Sequence, residues 1–229
     1  MAVFFDGIDD NLSTAQDAAS TAIDGNLTTH AIFLFLPSTP ASTQTILSSS
    51  DGYPGTGSRG LKTGTDSKFQ FFHSFSGTTP FWRTSSAQTV GVWHQFVVTY
   101  DASSLSNDPL MWVDNASVSL NDLTPSGSRI TGFDSFRLGS DRSGGQVCAC
   151  TLAFICLESG ALWDAARINR HYWYGAPGGG IELVYPLLTN DYTNKGTVNG
   201  ATLVANNGPV TVSSITNALK GFVLLRSCT

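Results

Sequence analysis

The sequence predicts an all-β protein: a sandwich of two antiparallel sheets with one short helix on its surface. Three observations carry that reading. Charged residues make up only 13% of the 229-residue chain, well under the ~25% of an average domain. Ser, Thr, Asn and Gly supply the polarity instead, as in turn-rich β proteins. Short strand-like runs recur along the chain with turn signals between them, and a single segment breaks that rhythm with helical spacing.

The first run, Val3-Phe4-Phe5, ends at Asp6-Gly7. Gly accepts the positive φ of a tight turn there, and Asp can bond its own backbone. Asp9, Asp10 and Asn11 keep the chain at the surface, and adjacent Asp9 and Asp10 point to opposite faces if extended. "HAIFLFLPS" is apolar on both faces up to Pro37, which suits a strand buried on both sides, with His30 preceding it. "QTILSSSDG" runs into a turn at Asp51-Gly52, and residues 51–60 form a Gly- and Pro-rich loop. "KFQFFHSF" places Phe69, Phe71, His73 and Phe75 on one face. "VWHQFVVTYD" sets His94, Phe96, Val98 and Tyr100 against Trp93, Gln95, Val97 and Thr99. "PLMWVDN" runs into a turn at Asp114-Asn115. "SFRLGS", "VCACTLAFICLE", "IELVYPLL", "GATLVA" and "GPVTVSS" complete the strand set.

"ALWDAARINRHYWYG" predicts a helix over 161–174. Ala161, Leu162, Ala165, Ala166, Ile168, Tyr172 and Trp173 fall on one side at 3.6-residue spacing, with Asp164, Arg167, Arg170 and His171 on the other. Asp164 and Arg170 complement the helix dipole. Gly175 can cap the C-terminus, and Pro177 prevents continuation. We expect one domain over residues 1–229, with residues 206–229 as an additional C-terminal strand or arm. In that arm Val210 and Val212 alternate with Thr211 and Ser213. Phe222 to Leu225 form an apolar run that must be covered, by the protomer's own sheet or by a partner copy.

No apolar run approaches the ~18 residues of a membrane span. The net charge is −5, with the basic residues scattered, which argues against nucleic-acid binding by phosphate neutralisation. No basic region precedes Val3 to Phe5, and Asp6 interrupts the apolar residues, so no export signal is expected and the chain is expected to be made in the cytoplasm. Cys148, Cys150 and Cys156 share a face with Leu152 and Phe154 by period 2, and Cys228 stands apart. Strand neighbours two apart sit at the limit for bridging, and no C-x-x-C pair exists, so the thiols read as small core residues. The sequons at Asn11, Asn26 and Asn115 read as chance matches.

"FFDGIDDNL", "WHQFVVTYD" followed by "LMWVDN", "FRLGS" with "LAFICLESGALWDAARINRHYWYG", and "LVYPLLTNDYTNKGTVNGATLV" together resemble the laminin G-like, concanavalin A-like lectin/glucanase superfamily, over residues 2–205. The resemblance implies a jelly-roll sandwich. Glucanases of this superfamily carry paired carboxylates on one strand, as retaining hydrolysis requires. Here the only Glu residues, Glu158 and Glu182, have no carboxylate two or four residues away. "GTGSRG" supplies no nucleophile elbow, and no His pair has zinc spacing. His73 and His94 read as core residues and His171 as a polar-face residue. We therefore expect no enzyme, no catalytic residues and no cofactor. Some laminin G-like domains hold calcium, for which Asp51, Asp101 and Asp141 are loop candidates, although turn-making is the commoner role of such residues. For sugar binding the loop aromatics Tyr53, Trp82 and Tyr192 are candidates.

Single-domain proteins of this kind are frequent among tailed-bacteriophage structural genes. The first expectation is thus a virion structural protein, a capsid decoration (cement) protein. Its partners would be the major capsid protein or tail proteins and further copies of itself as a homo-oligomer. The alternative is a carbohydrate-binding, lectin-like module of a tail fibre, or an exported glycan-binding protein.

Overall fold

Period-2 alternation gives most strands one apolar face, and two sheets stack to bury those faces against each other. A computed structural model describes residues 2–14, 25–50, 58–78, 81–121, 124–131, 135–141 and 143–175. It also describes residues 178, 183–185, 187, 195, 203–206 and 210–212. The first sheet contains β1 (Ala2–Asp6), β3 (Leu27–Phe35), β8 (Trp93–Asp101), β9 (Leu110–Val113), β10 (Ala116–Val118), β13 (Ala149–Ser159), β14 (Leu183–Tyr185) and β16 (Val210–Val212). Its order is β10-β9-β8-β3-β13-β1-β16, with β14 also beside β13. The second contains β2 (Asn11–Ser13), β4 (Gln44–Ser50), β5 (Ser58–Thr63), β6 (Phe69–His73), β7 (Phe81–Thr84), β11 (Leu120–Asn121), β12 (Ser135–Leu138) and β15 (Val204–Asn206). Its order is β11-β7-β6-β5-β4-β12-β2-β15. Every pairing between these strands is antiparallel.

The inward sides form one core. Phe5, Ile32, Leu34, Phe96 and Leu152 of the first sheet meet Leu12, Leu47, Leu61, Phe69, Phe71, Trp82 and Phe136 of the second. His30 lies within β3 rather than before it and is buried, as are Arg59 and His73. The Arg59 Nη1 donates to Gly25 O at 3.3 Å and Thr28 Oγ1 at 3.4 Å. Burial, and then the Arg59 charge, lower the His30 pKa to about 3 and that of His73 to about 2. Both rings are therefore neutral.

The cysteine-bearing strand departs from simple alternation. Phe154 has φ 48°, and the β13–β3 register shifts between Ala153 and Cys156. This bulge puts Ala153 and Phe154 both on the outer side, after which Ile155 and Leu157 return inward. Cys148 and Cys150 thus face the core, whereas Cys156 packs outside with Ala31, Val97, Trp163 and Ile168. The expectation that all three share one face fails at that one inserted residue. Cys148, Cys150 and Cys156 are buried free thiols.

Helix α1 (Ala165–Tyr174) lies over this outer side of the first sheet. Asp164 is its N-cap, accepting from Arg167 N at 2.9 Å, and Gly175 ends it at φ 65°. Residues 161–163 precede the helix without regular secondary structure, so the predicted start moves four residues on. His171 is not on the polar face but fully buried. Its Nδ1 accepts from Gln95 Nε2 and its Nε2 donates to Phe154 O, each at 2.9 Å. Glu158 anchors the other end, accepting from Trp163 Nε1 and pairing with Arg167 Nη2 at 2.7 Å. The helix explains why β3 reads apolar on both faces.

β16 pairs with β1; residues 222–225 lie outside the described residues. No helix among the described residues is long and apolar enough to cross a membrane.

Candidate functional site

Among the described residues no helix covers the outward side of the second sheet, and its outward residues line a cleft of about 390 Å³. Strand register builds it. Lys62 on β5, Gln70 on β6 and Arg83 on β7 are direct neighbours across three strands. Phe72 and Phe81 form the adjacent row. Thr43 and the β5–β6 turn, Gly64 to Asp66, close its end. The turn is held by Ser67 N donating to Gly64 O at 3.0 Å. A Cβ at Gly64 would lie 2.7 Å from both Asp66 Oδ1 and Gln70 Nε2. The absence of a side chain there lets those two groups converge.

The cleft is polar with an aromatic wall. Phe81 is 39% exposed, whereas Gln70 is only 9% exposed. Among the described residues no hydrogen bond engages the Gln70 amide. The Lys62 Nζ sits 4.3 Å from the Phe72 ring centroid. Burial lowers the Lys62 pKa, and the more distant Asp141 carboxylate partly offsets this. Asp66 Oδ2 lies 3.6 Å from Arg83 Nη1 and 3.9 Å from Lys68 Nζ, loose pairs at an exposed rim. Such a surface can stack an apolar ring face on Phe81 while offering directional donors and acceptors from its floor.

The sequence-based candidates fall elsewhere. Trp82 is not a loop aromatic but fully buried, stacked on Phe71 and donating from Nε1 to Asp108 Oδ1 at 2.8 Å. "TPFWRTS" thus reaches the right strand and the wrong face. Period 2 supplies the missing signal: once Trp82 pairs with Phe71 in the core, Phe81 and Arg83 must point outward. Tyr53, Tyr192 and Asp51 lie outside the described residues. Asp101 accepts from Ser103 N at 2.9 Å, and the Ser103 hydroxyl and backbone hold its pKa low. Asp141 accepts from Gly145 N and Ser143 Oγ, each at 2.8 Å. Both make turns, and among the described residues neither joins an acidic cluster. The one acidic cluster among the described residues is Asp6, Asp9 and Asp10, with ligand atoms within 4.8 Å of one another. The β1–β2 turn folds Asp9 and Asp10 together instead of splaying them. Its own bonds engage the cluster, Asp10 Oδ2 accepting from Asp6 N and Asp6 Oδ1 from Ile8 N.

Two antiparallel sheets in this arrangement, with a helix packed outside among the described residues, form a jelly-roll sandwich, the fold shared by concanavalin A-like and laminin G-like proteins. Solved structures share that fold. A heptameric SAP-like pentraxin from Limulus polyphemus aligns over 91% of this chain and 93% of its own, with a TM-score of 0.62 at 11% identity. A Bacteroides ovatus protein whose carbohydrate-binding role is itself an inference aligns over 93% of this chain and 60% of its own, at 0.61 and 14%. Domains LG4-5 of the mouse laminin α1 chain align over 72% of this chain and 43% of theirs, at 0.53 and 10%. At these identities the likeness is one of fold alone. No protein-family model and no curated protein matches the sequence.

Proposed function

We propose that this protein is a non-catalytic, lectin-like module that binds carbohydrate in the cleft on its second sheet. The observation that carries this is Gln70. Its amide makes no hydrogen bond among the described residues, and it lies on the floor of an open cleft beside the exposed Phe81 ring, free to bond a ligand. A pyranose offers what both groups lack, an apolar C–H face for the ring and hydroxyls for the amide. Among the described residues the cleft lining contains a single carboxylate, Asp66, engaged by Arg83 and Lys68. Glycoside hydrolysis uses two, so binding without turnover fits better.

Of the two readings left by the sequence, glycan binding has the support of the neighbouring folds, one of them ascribed a carbohydrate-binding role. Capsid decoration gains nothing from them. A particle appendage that grips a host surface glycan is the setting we propose for the module, to be checked by mass spectrometry of purified particles. Binding itself is tested on a glycan array with the wild type and Phe81→Ala. The wild type should retain a defined set of glycans, and the variant, folded with unchanged Tm, should lose at least about tenfold in affinity. No retained glycan, or retention indifferent to Phe81, would end this reading.

A further inference from the structure

We infer that the sugar taken by this cleft is anionic, bearing a carboxylate or sulfate beside the pyranose ring; this rests on the carbohydrate reading above. The protein is acidic overall, at −5, yet the cleft lining reverses that sign. Lys62 and Arg83 bring two positive charges against the single carboxylate of Asp66. Lys68 adds a third cation at the same rim, and it shares Asp66 with Arg83 at 3.9 and 3.6 Å.

Lys62 is the informative group. Its ammonium is partly buried against the Phe72 ring, and among the described residues no carboxylate lies within 4.0 Å of it. A half-buried cation in contact with a ring face, with Asp141 acting on it only from a distance, has its lost hydration incompletely compensated. Lys62 neighbours Gln70, which neighbours Arg83, in one cross-strand row. A ligand ring on Phe81 would therefore have an amide at its centre and a cation to either side. A neutral sugar would use the ring and the amide and leave both cations as they are. An anionic substituent would engage them, Arg83 through its planar fork and Lys62 as a point charge.

The test uses the intact protein and soluble oligosaccharides by calorimetric titration. Oligogalacturonate and sialyllactose carry carboxylates, a heparin hexasaccharide carries sulfates, and galactotriose, lactose and maltohexaose are neutral. At least one anionic member should bind about tenfold or more tightly than every neutral one. Whether it is a carboxylated or a sulfated sugar names the substituent. Lys62→Met keeps the stem over Phe72 and removes the charge. It should abolish that preference, bringing anionic and neutral sugars to similar affinities, and added salt should weaken the wild type alone. Neutral sugars binding equally well, with binding dependent on Phe81 and indifferent to Lys62, would overturn the anionic inference and leave the glycan site standing. Binding indifferent to Phe81 and Lys62 alike would overturn both.

Discussion

The Nδ1 of His94 lies 2.6 Å from Asp114 Oδ2, while its Nε2 lies 2.8 Å from Thr89 O. Both ring nitrogens face acceptors, an arrangement that favours the doubly protonated form. Burial pulls its pKa down, but the bond to Asp114, the bond to Thr89 and the Asp114 charge outweigh it and raise the net value above 6.5. Asp114 also accepts from Gln95 N at 2.9 Å, which ties the β9–β10 turn to β8.

A raised folded pKa means that the folded state holds this proton more tightly than the unfolded chain does. The stability it contributes is full below pH 6.5 and is lost as pH rises through the raised value. Asp114→Asn should remove that dependence. The loss should be only about 1 kcal/mol, because exposed pairs are screened and the Asp114 side chain is 39% exposed. Urea midpoints for both proteins at about pH 6 and about pH 9 check this. A wild type whose midpoint is flat across that range would contradict it.

His30 has the opposite sign. Its pKa is lowered to about 3, chiefly by burial, so stability is present above 6.5 and falls as pH drops towards that value. His171, lowered to about 4 mainly by burial, loses stability in the same direction. Neither His30 ring nitrogen has a hydrogen-bond partner among the described residues, and its edge meets Phe71 at 5.8 Å. His30→Phe should therefore hold or raise neutral-pH stability by about 1 kcal/mol and shrink the acid loss. Calorimetric Tm values across the acid range measure both. A variant destabilised at neutral pH would show that the ring has a polar role.

Gly175 fixes where α1 stops. At φ 65°, a Cβ there would come within 2.5 Å of Phe154 Cδ1, on the bulge of β13. Gly144 has φ 77° with nothing within 4 Å of a built Cβ. Gly144→Ala should cost about 1 kcal/mol from backbone strain alone. Gly175→Ala should cost about 2 kcal/mol more, since the ring and the bulge must also move. Equal costs would mean that the Phe154 contact contributes nothing.

How far the sequence reaches depends on which rule each residue obeys. The alternation of Phe69, Phe71 and His73, and of Phe96, Val98 and Tyr100, holds as read, because these strands obey period 2 without interruption. Gly175 caps the helix as read, because its positive φ is a local property of glycine, whereas Asp164, read as a dipole partner inside the helix, is the N-cap. Cys156 changes face because one residue, Phe154, is inserted into the ladder, and nothing in "CTLAFIC" marks it. His171 is buried because Gln95, remote in sequence, offers it a donor, which no local pattern reveals. The cleft is hidden for a related reason: Lys62, Gln70 and Arg83 sit on separate strands, and only register makes them neighbours.

The central claim is that a sugar lies on the outer face of the second sheet. A crystal structure of the protein with its best-retained oligosaccharide tests it most directly. We predict one pyranose face on the Phe81 ring, with hydroxyls bonded to the Gln70 amide and an anionic substituent between Lys62 and Arg83. Density for the sugar anywhere else, at the Tyr53 or Tyr192 segments or beside Trp93 on the first sheet, with the Phe81 cleft empty, would contradict it.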